Sequence, residues 1–229
     1  MDFIMQQIQS NFIAEQRWRF LVNGLSTTLQ ITFFALIVGI ILGFFVAIIR
    51  STHDTTGRFK ALNTLCKLYL TIIRGTPVLV QLMIIYYVIF ATVNINQVLV
   101  AVLAFGINSG AYVAEIVRSG IMSVDRGQFE AGRSLGFSYY KTMRYIIIPQ
   151  AFKNVLPALG NEFIVLLKET SVAGYIAMQD LTKAGDIIRS RTYSAFVPLL
   201  TVALIYLILV TIFTKLVSML ERKLQNSEK

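Results

Sequence analysis

Three polar interruptions fall inside stretches that are otherwise apolar: Arg74-Gly75-Thr76-Pro77, Asn161-Glu162 and Lys168-Glu169. A guanidinium and carboxylates in such surroundings suit ion pairing, or they suit holding the charged groups of a small ligand. They are not arranged for bond-making chemistry. The chain has no G-x-x-x-x-G-K-[ST] phosphate loop, no H-E-x-x-H and no G-x-S-x-G. Its one histidine, His53, and one cysteine, Cys66, allow no disulfide and no metal or nucleophile cluster. Glu115 and Glu162 are therefore read as pairing and ligand-contact groups.

Each interruption leaves a choice open. An arginine at bilayer depth costs about 2.5 to 3.5 kcal/mol, and Gly75 with Pro77 frees backbone groups that need partners. The break then either lines a cavity or gate, or it is a kink whose Arg74 pairs with a neighbouring carboxylate. Glu162 needs a cation: Lys168, Arg74, or the ammonium or guanidinium of a substrate. Failing these, it lies near the inner interface without a role. Lys168 and Glu169 either neutralise each other or belong to a gate where the helix yields to an outer loop.

The elements that position these residues are membrane spans. The 229 residues are 55% hydrophobic and 14% charged, with mean hydropathy +0.66, outside the range of soluble domains. Apolar runs over about 20–49, 61–91, 98–117, 155–176 and 196–220 are each long enough to cross about 30 Å of hydrocarbon as a helix. The alternation of barrel strands is missing. The first run is too long for a cleavable signal, and no removed peptide is expected. We expect an all-α integral membrane protein with five transmembrane helices. Residues 1–19 form an N-terminal interfacial segment and 20–220 the transmembrane domain. A polar segment over 118–153 interrupts it, and 221–229 is a basic tail.

Residues 1–19 space Ile4, Ile8 and Phe12 as a short surface helix with Trp18 at headgroup depth, or they are a frayed polar tail. In the first span, Ala35, Gly39, Gly43 and Ala47 recur every four residues, a stripe for close helix contact within the chain or in a dimer. A polar connector over 50–60 follows. If 118–153 is cytoplasmic, the inner side gathers Arg50, Arg58, Lys60, Arg118, Arg126, Arg133, Lys141, Arg144, Lys153, Lys215, Arg222, Lys223 and Lys229. The outer side keeps only Arg17, Arg19, Lys183, Arg189 and Arg191. That asymmetry puts the N-terminus outside and the C-terminus inside. The net charge of +9 is thereby a topology signal and needs no nucleic acid.

Within 118–153, a helix beginning near Gly127 spaces Phe129, Gly132 and Gly136 at i, i+3, i+7, flanked by Glu130 and Arg133. An apolar knob beside glycines and two charges reads as a docking surface. Gly136 can end this helix, and Pro149 limits the next. Glu130-Ala131-Gly132, then Gly136, then Ile146-x-Ile148-Pro149 resembles the EAA loop of ABC importer permeases. Gly132 replaces the second alanine of that pattern and Ile148 the leucine. Arg74-Gly-Thr-Pro-Val-Leu-Val-Gln81, Asn108-Ser-Gly-Ala-Tyr-Val-Ala-Glu115, Leu156-Pro-Ala-Leu-Gly-Asn161 and Leu167-Lys-Glu-Thr-Ser171 are similar to the polar amino acid permeases.

The resemblance implies a permease subunit of the prokaryotic cytoplasmic membrane, paired with a second permease subunit, identical or different. Two ATPase subunits would carry ATP and Mg, and an extracytoplasmic binding protein would deliver an amino acid; this chain would hold no cofactor. Coupling to the ATPase falls on Phe129, Glu130, Ala131, Gly132, Arg133, Leu135 and Gly136. Substrate contact falls on Arg74, Thr76, Asn161 and Glu162, and gate or helix-break roles on Gly75, Pro77, Lys168 and Glu169. A glutamate at 162 resembles permeases for basic amino acids; glutamine or another polar amino acid is the alternative. An ATP-independent channel or carrier is the competing class, against which the missing internal repeat counts.

Overall fold

The computed structural model describes residues 2–226. The last three residues of the tail expected over 221–229, and the side chain of Ile4, lie outside the described residues. The described residues form helices and their turns. Helix α1 (Asp2–Ile8) runs into a π turn, Gln9–Ile13, and the chain reverses at Glu15 and Gln16, each at φ 54°. Phe12 from this segment packs against Leu21, Leu181 and Ile188.

Helix α2 (Trp18–Thr56) has 39 residues, about 58 Å at 1.5 Å per residue. The connector expected over 50–60 is thus helical as far as Thr56. The apolar run ends there, but backbone bonding does not, and Gly57 closes the helix at φ 69° with its N–H on the carbonyl of His53. The small-residue stripe of α2 meets α5 (Gln97–Met122), so its close contact lies within the chain. A Cβ on Gly39 would stand 2.9 Å from Ser109, and one on Gly43 would stand 2.6 Å from Val113. Only hydrogen at these two positions lets the backbones come this near.

The second run breaks into α3 (Lys60–Gly75) and α4 (Val78–Ile84), the latter extended by a π turn to Ile89. The helix axis turns by 110° between the two arms, at the break expected over Arg74-Gly75-Thr76-Pro77. Helix α6 (Arg126–Ser134) starts at Asp125, whose side chain accepts from the Gly127 N–H at 2.6 Å. It ends in a Schellman turn: Gly136, at φ 78°, donates to the Arg133 carbonyl, and Phe137 donates to Gly132.

Helix α7 (Tyr139–Thr142) continues through a π turn, Met143–Ile147, into α8 (Ile148–Glu169). Pro149 does not limit this helix. The Ile148 N–H reaches back five residues to the Met143 carbonyl, and Pro149 falls in the first turn of α8, where a missing N–H costs nothing. A 3-10 turn, Thr170–Ile176, leads to α9 (Leu181–Thr192) and then α10 (Phe196–Asn226).

Among the described residues three helices are long and apolar enough to cross a bilayer, over Trp18–Asp54, Gln97–Met122 and Phe196–Leu224, and the bent pair α3–α4 makes a fourth when it is counted as one span. Helix α8 falls short by that measure because Pro157, Asn161, Glu162, Lys168 and Glu169 dilute its apolarity. It is nonetheless packed against α5 and α10. A Cβ on Gly120 of α5 would overlap Val155, and one on Gly160 would lie 2.7 Å from Val217.

Candidate functional site

Pro77 has no N–H, and its ring excludes the usual bond to the carbonyl four residues earlier, Ile73. That carbonyl has a substitute donor: Gln81 Nε2 reaches it at 2.8 Å and also lies 2.8 Å from the Thr76 hydroxyl. Thr76 in turn donates to the Ile72 carbonyl at 2.8 Å. Asn108 of α5 fixes the orientation of Gln81, giving its Nδ2 hydrogen to Gln81 Oε1 at 2.9 Å. Thr76 is thus engaged by the break itself. Arg74 through Pro77 are exposed on the single chain, and a Cβ on Gly75 would meet nothing within 4 Å.

Arg74 points toward α5. Its guanidinium lies 5.8 Å over the Tyr112 ring and 4.0 Å from Glu115 Oε1. Glu115 also accepts from Arg50 Nη1 at 2.6 Å and from Arg118 Nε at 3.4 Å. One carboxylate therefore ties α2, the end of α3 and α5 together, and the group around it keeps an excess of positive charge. The choice left open for Arg74 is met on the side of a neighbouring carboxylate, although that carboxylate itself borders a cavity.

The cavity is an open cleft of about 470 Å³ between α5 and α8. Tyr112, Glu115, Ser119 and Ser123 line one wall, and Asn154, Ala158 and Glu162 line the other. Each set follows helical spacing, so two facing stripes build it. Glu162 is 7% exposed, and its Oε1 accepts from the Ser109 hydroxyl at 2.7 Å. Among the described residues no Lys, Arg or His pairs with it, so neither Lys168 nor Arg74 supplies the cation it was expected to need. A carboxylate holding one hydroxyl keeps acceptor capacity for an incoming donor. Asn161 is exposed and lies off the cleft, about 100° around the helix from Glu162. Lys168 is exposed and Glu169 half-buried, both beyond the cleft. Ser109 and Tyr112 lie in the 108–115 stretch that carries the resemblance but have no site role in the sequence reading, and Ser119 and Asn154 are not singled out there; for Asn154 the signal is the i, i+4 recurrence Asn154, Ala158, Glu162.

At the docking helix the structure reverses one expectation. Phe129 and Gly132 do not face outward together with Gly136. The Asp125 cap sets the phase of α6 so that Phe129 packs on Val124, Ile147 and Ala151. Gly132 is buried against Thr142, whose Cγ2 would lie 2.7 Å from an added Cβ. The outward face consists of Glu130, Ala131, Arg133, Leu135 and Gly136, with Leu135 73% exposed.

Long apolar helices, a sharply broken span and a polar helical hairpin between spans define a multi-pass helical membrane protein built around a cleft. Residues 39–226 match the family described as binding-protein-dependent transport system inner membrane component, and the chain belongs to it. The chain is 37% identical over 207 residues to a putative glutamine transport system permease protein GlnP of Rickettsia prowazekii, covering 90% of this chain and 93% of that one. It is 37% identical over 211 residues to the arginine transport system permease protein ArtQ of Bacillus subtilis, covering 91% and 94%. A solved structure, described as an amino acid ABC transporter with histidines, superposes with TM-score 0.84 at 44% identity over 93% of this chain and 98% of that one. The MetNI methionine ABC transporter shares the fold at 21% identity, with TM-score 0.78 over 90% and 97%. The chain is thus an inner-membrane, multi-pass permease subunit of an amino acid ABC importer. Hydrolysis of ATP belongs to a separate subunit in this family, and permease subunits carry no cofactor themselves.

Proposed function

We propose that this permease moves a polar amino acid with a basic side chain, and that Glu162 receives the substrate's cationic group inside the α5–α8 cleft. The observation that carries the reading is the buried Glu162 carboxylate, held among the described residues by Ser109 alone and lining an open cleft. Arg74 does not line the cleft, but its guanidinium lies over the ring of Tyr112, which does, and in this reading it would meet a substrate carboxylate. The name of the ArtQ relative supports a basic substrate, as do the histidines of the solved transporter. The GlnP relatives support the second reading, glutamine, in which Glu162 holds the α-ammonium group common to all amino acids.

In this reading α8 is a fifth span, the N-terminus lies outside and the C-terminus inside a prokaryotic cytoplasmic membrane. Two permease subunits work with two ATPase subunits, which bind ATP and Mg, and with an extracytoplasmic binding protein. Glu130, Ala131, Arg133, Leu135 and Gly136 form the outward docking face, braced from behind by Phe129 and Gly132. Gly75 and Pro77 form the bend, and Lys168 and Glu169 lie where an outer gate would close.

The test is ATPase stimulation of the reconstituted complex by a panel of amino acids, with and without Glu162→Gln. Stimulation by arginine, lysine or histidine that the variant abolishes supports the basic substrate. Stimulation by neutral amides alone overturns it. Purification of the chain without any ATPase would remove the importer mechanism itself.

A further inference from the structure

A second concavity borders the coupling segment, and neither the cleft nor the docking face uses it. It is a groove of about 330 Å³ between the inner half of α2, the end of α5 and the α7–α8 helix. Phe44, Ile48, Val117, Ile121, Phe152 and Val155 make an apolar floor. Polarity is confined to one end, where Ser51, Thr52, Tyr140 and Arg144 gather. Arg144 Nη1 donates to the Tyr140 hydroxyl at 3.4 Å, and its guanidinium lies 5.7 Å over the Tyr145 ring. Tyr140 and Tyr145 are 67% and 64% exposed. Aromatic rings with an arginine mark headgroup depth, and the apolar run of α2 ends at the same level, at Ile49-Arg50.

A hydrocarbon floor that opens at one end onto hydroxyls and a guanidinium matches an amphiphile standing along the bilayer normal. We infer that the groove holds one anionic phospholipid of the inner leaflet, with its phosphate on Arg144 and an acyl chain against Phe44, Ile48 and Phe152. Charge selects the class. Arg144 is exposed and makes no ion pair among the described residues, and Lys141 is one turn away, so this end of the groove presents uncompensated positive charge to an incoming anion. A phosphate carrying net negative charge compensates it, whereas a zwitterionic headgroup brings its own ammonium. A helix of another protein, about 10 Å across, is too broad for a slot of this size. The lipid would stand behind Thr142 and Met143, the surface on which α6 rests, and so would brace the docking helix. The inference depends on the importer reading only for the side of the membrane.

The test uses the intact permease–ATPase complex in bilayer discs of equal phosphatidylglycerol and phosphatidylcholine, followed by native mass spectrometry of retained lipid. Wild type should retain phosphatidylglycerol about fivefold over phosphatidylcholine, as expected from one basic residue at a membrane surface. Arg144→Gln should bring the ratio to about one, and Ile48→Trp, at an exposed floor position, should reduce retention of both lipids. Equal retention by wild type, or a ratio unchanged in Arg144→Gln, overturns the proposal. So does a cross-link from Ile48→Cys to another subunit, which would show protein in the groove. Loss of the ATPase on purification would count against the importer reading, and lipid retention remains measurable on the permease alone.

Discussion

Gln81 donates to the carbonyl of Ile73 at 2.8 Å, the acceptor that Pro77 deprives of its own helical donor. The bend between α3 and α4 is therefore a hydrogen-bonded structure and not a loose hinge. Gln81→Leu should destabilise the permease by about 1 to 3 kcal/mol, because the half-buried Ile73 carbonyl loses its donor and the buried Asn108 amide its acceptor. Asn108→Ala should cost about 1 kcal/mol, since it removes one bond and an amide oxygen that already lacks a partner among the described residues. Thermal unfolding of the detergent-solubilised complex reads both. A larger loss for Asn108→Ala would contradict this order.

The arginines on Glu115 should not be equivalent. Arg50 sits 2.6 Å away with its side chain 16% exposed, whereas Arg118 lies at 3.4 Å and is 31% exposed. Arg50→Gln should cost about 2 kcal/mol, as loss of a charge-assisted hydrogen bond. Arg118→Gln should stay below about 1 kcal/mol. The same unfolding assay compares them, and equal losses would mean the bridge carries no distance-dependent weight.

Docking-helix glycines should fail for different reasons. Gly136→Ala meets open space but has to hold φ 78°, costing about 1 kcal/mol. A second mutation in its surroundings should not restore it. Gly132→Ala collides with Thr142 and should be rescued by Thr142→Ala, which removes both colliding atoms. Uptake and ATPase coupling of the single and double variants provide the measurement. Absence of rescue would place the defect at the ATPase contact instead.

On α9, outside the spans, Lys183 and Arg189 donate to Asp186 at 2.9 and 3.0 Å and hold its carboxyl below the usual aspartate range. A folded-state pKa below the unfolded one contributes stability that is complete above the unfolded value and is lost as pH falls through the folded value. The unfolding-temperature gap between wild type and Asp186→Asn should therefore be constant well above the ordinary aspartate pKa of about 4 and shrink as pH falls below it through the lower folded-state value. A gap that ignores pH in this window would show that the contacts act by packing.

How much of this was legible depended on whether the determinant was local. The long runs of α2 and α10 announce themselves by unbroken apolarity, and Gly75-Thr76-Pro77 announces a break, though not its 110°. The end of α6 at Gly136 was legible because a Schellman turn is written in one glycine. The facing of Phe129 was not, because a one-residue shift in where Asp125 caps the helix turns every side chain by about 100°. Pro149 misled because the π turn before it changes the bonding register. Pairs such as Arg50–Glu115 and Ser109–Glu162 join residues on different helices, and no spacing along the chain encodes them.

The seam between α2 and α5 sets what the subunit can do mechanically. With Gly39 and Gly43 lying against Ser109 and Val113, the two helices cannot slide past each other without atomic overlap, so they behave as one stiff beam. A push delivered at α6 is then not dissipated in this pair. On the proposed docking at α6, it would pass along α5, whose stripe from Ser123 to Tyr112 forms one wall of the α5–α8 cleft. A stroke of a few ångströms at the docking helix would open or shut the cleft by leverage, with the beam itself undeformed.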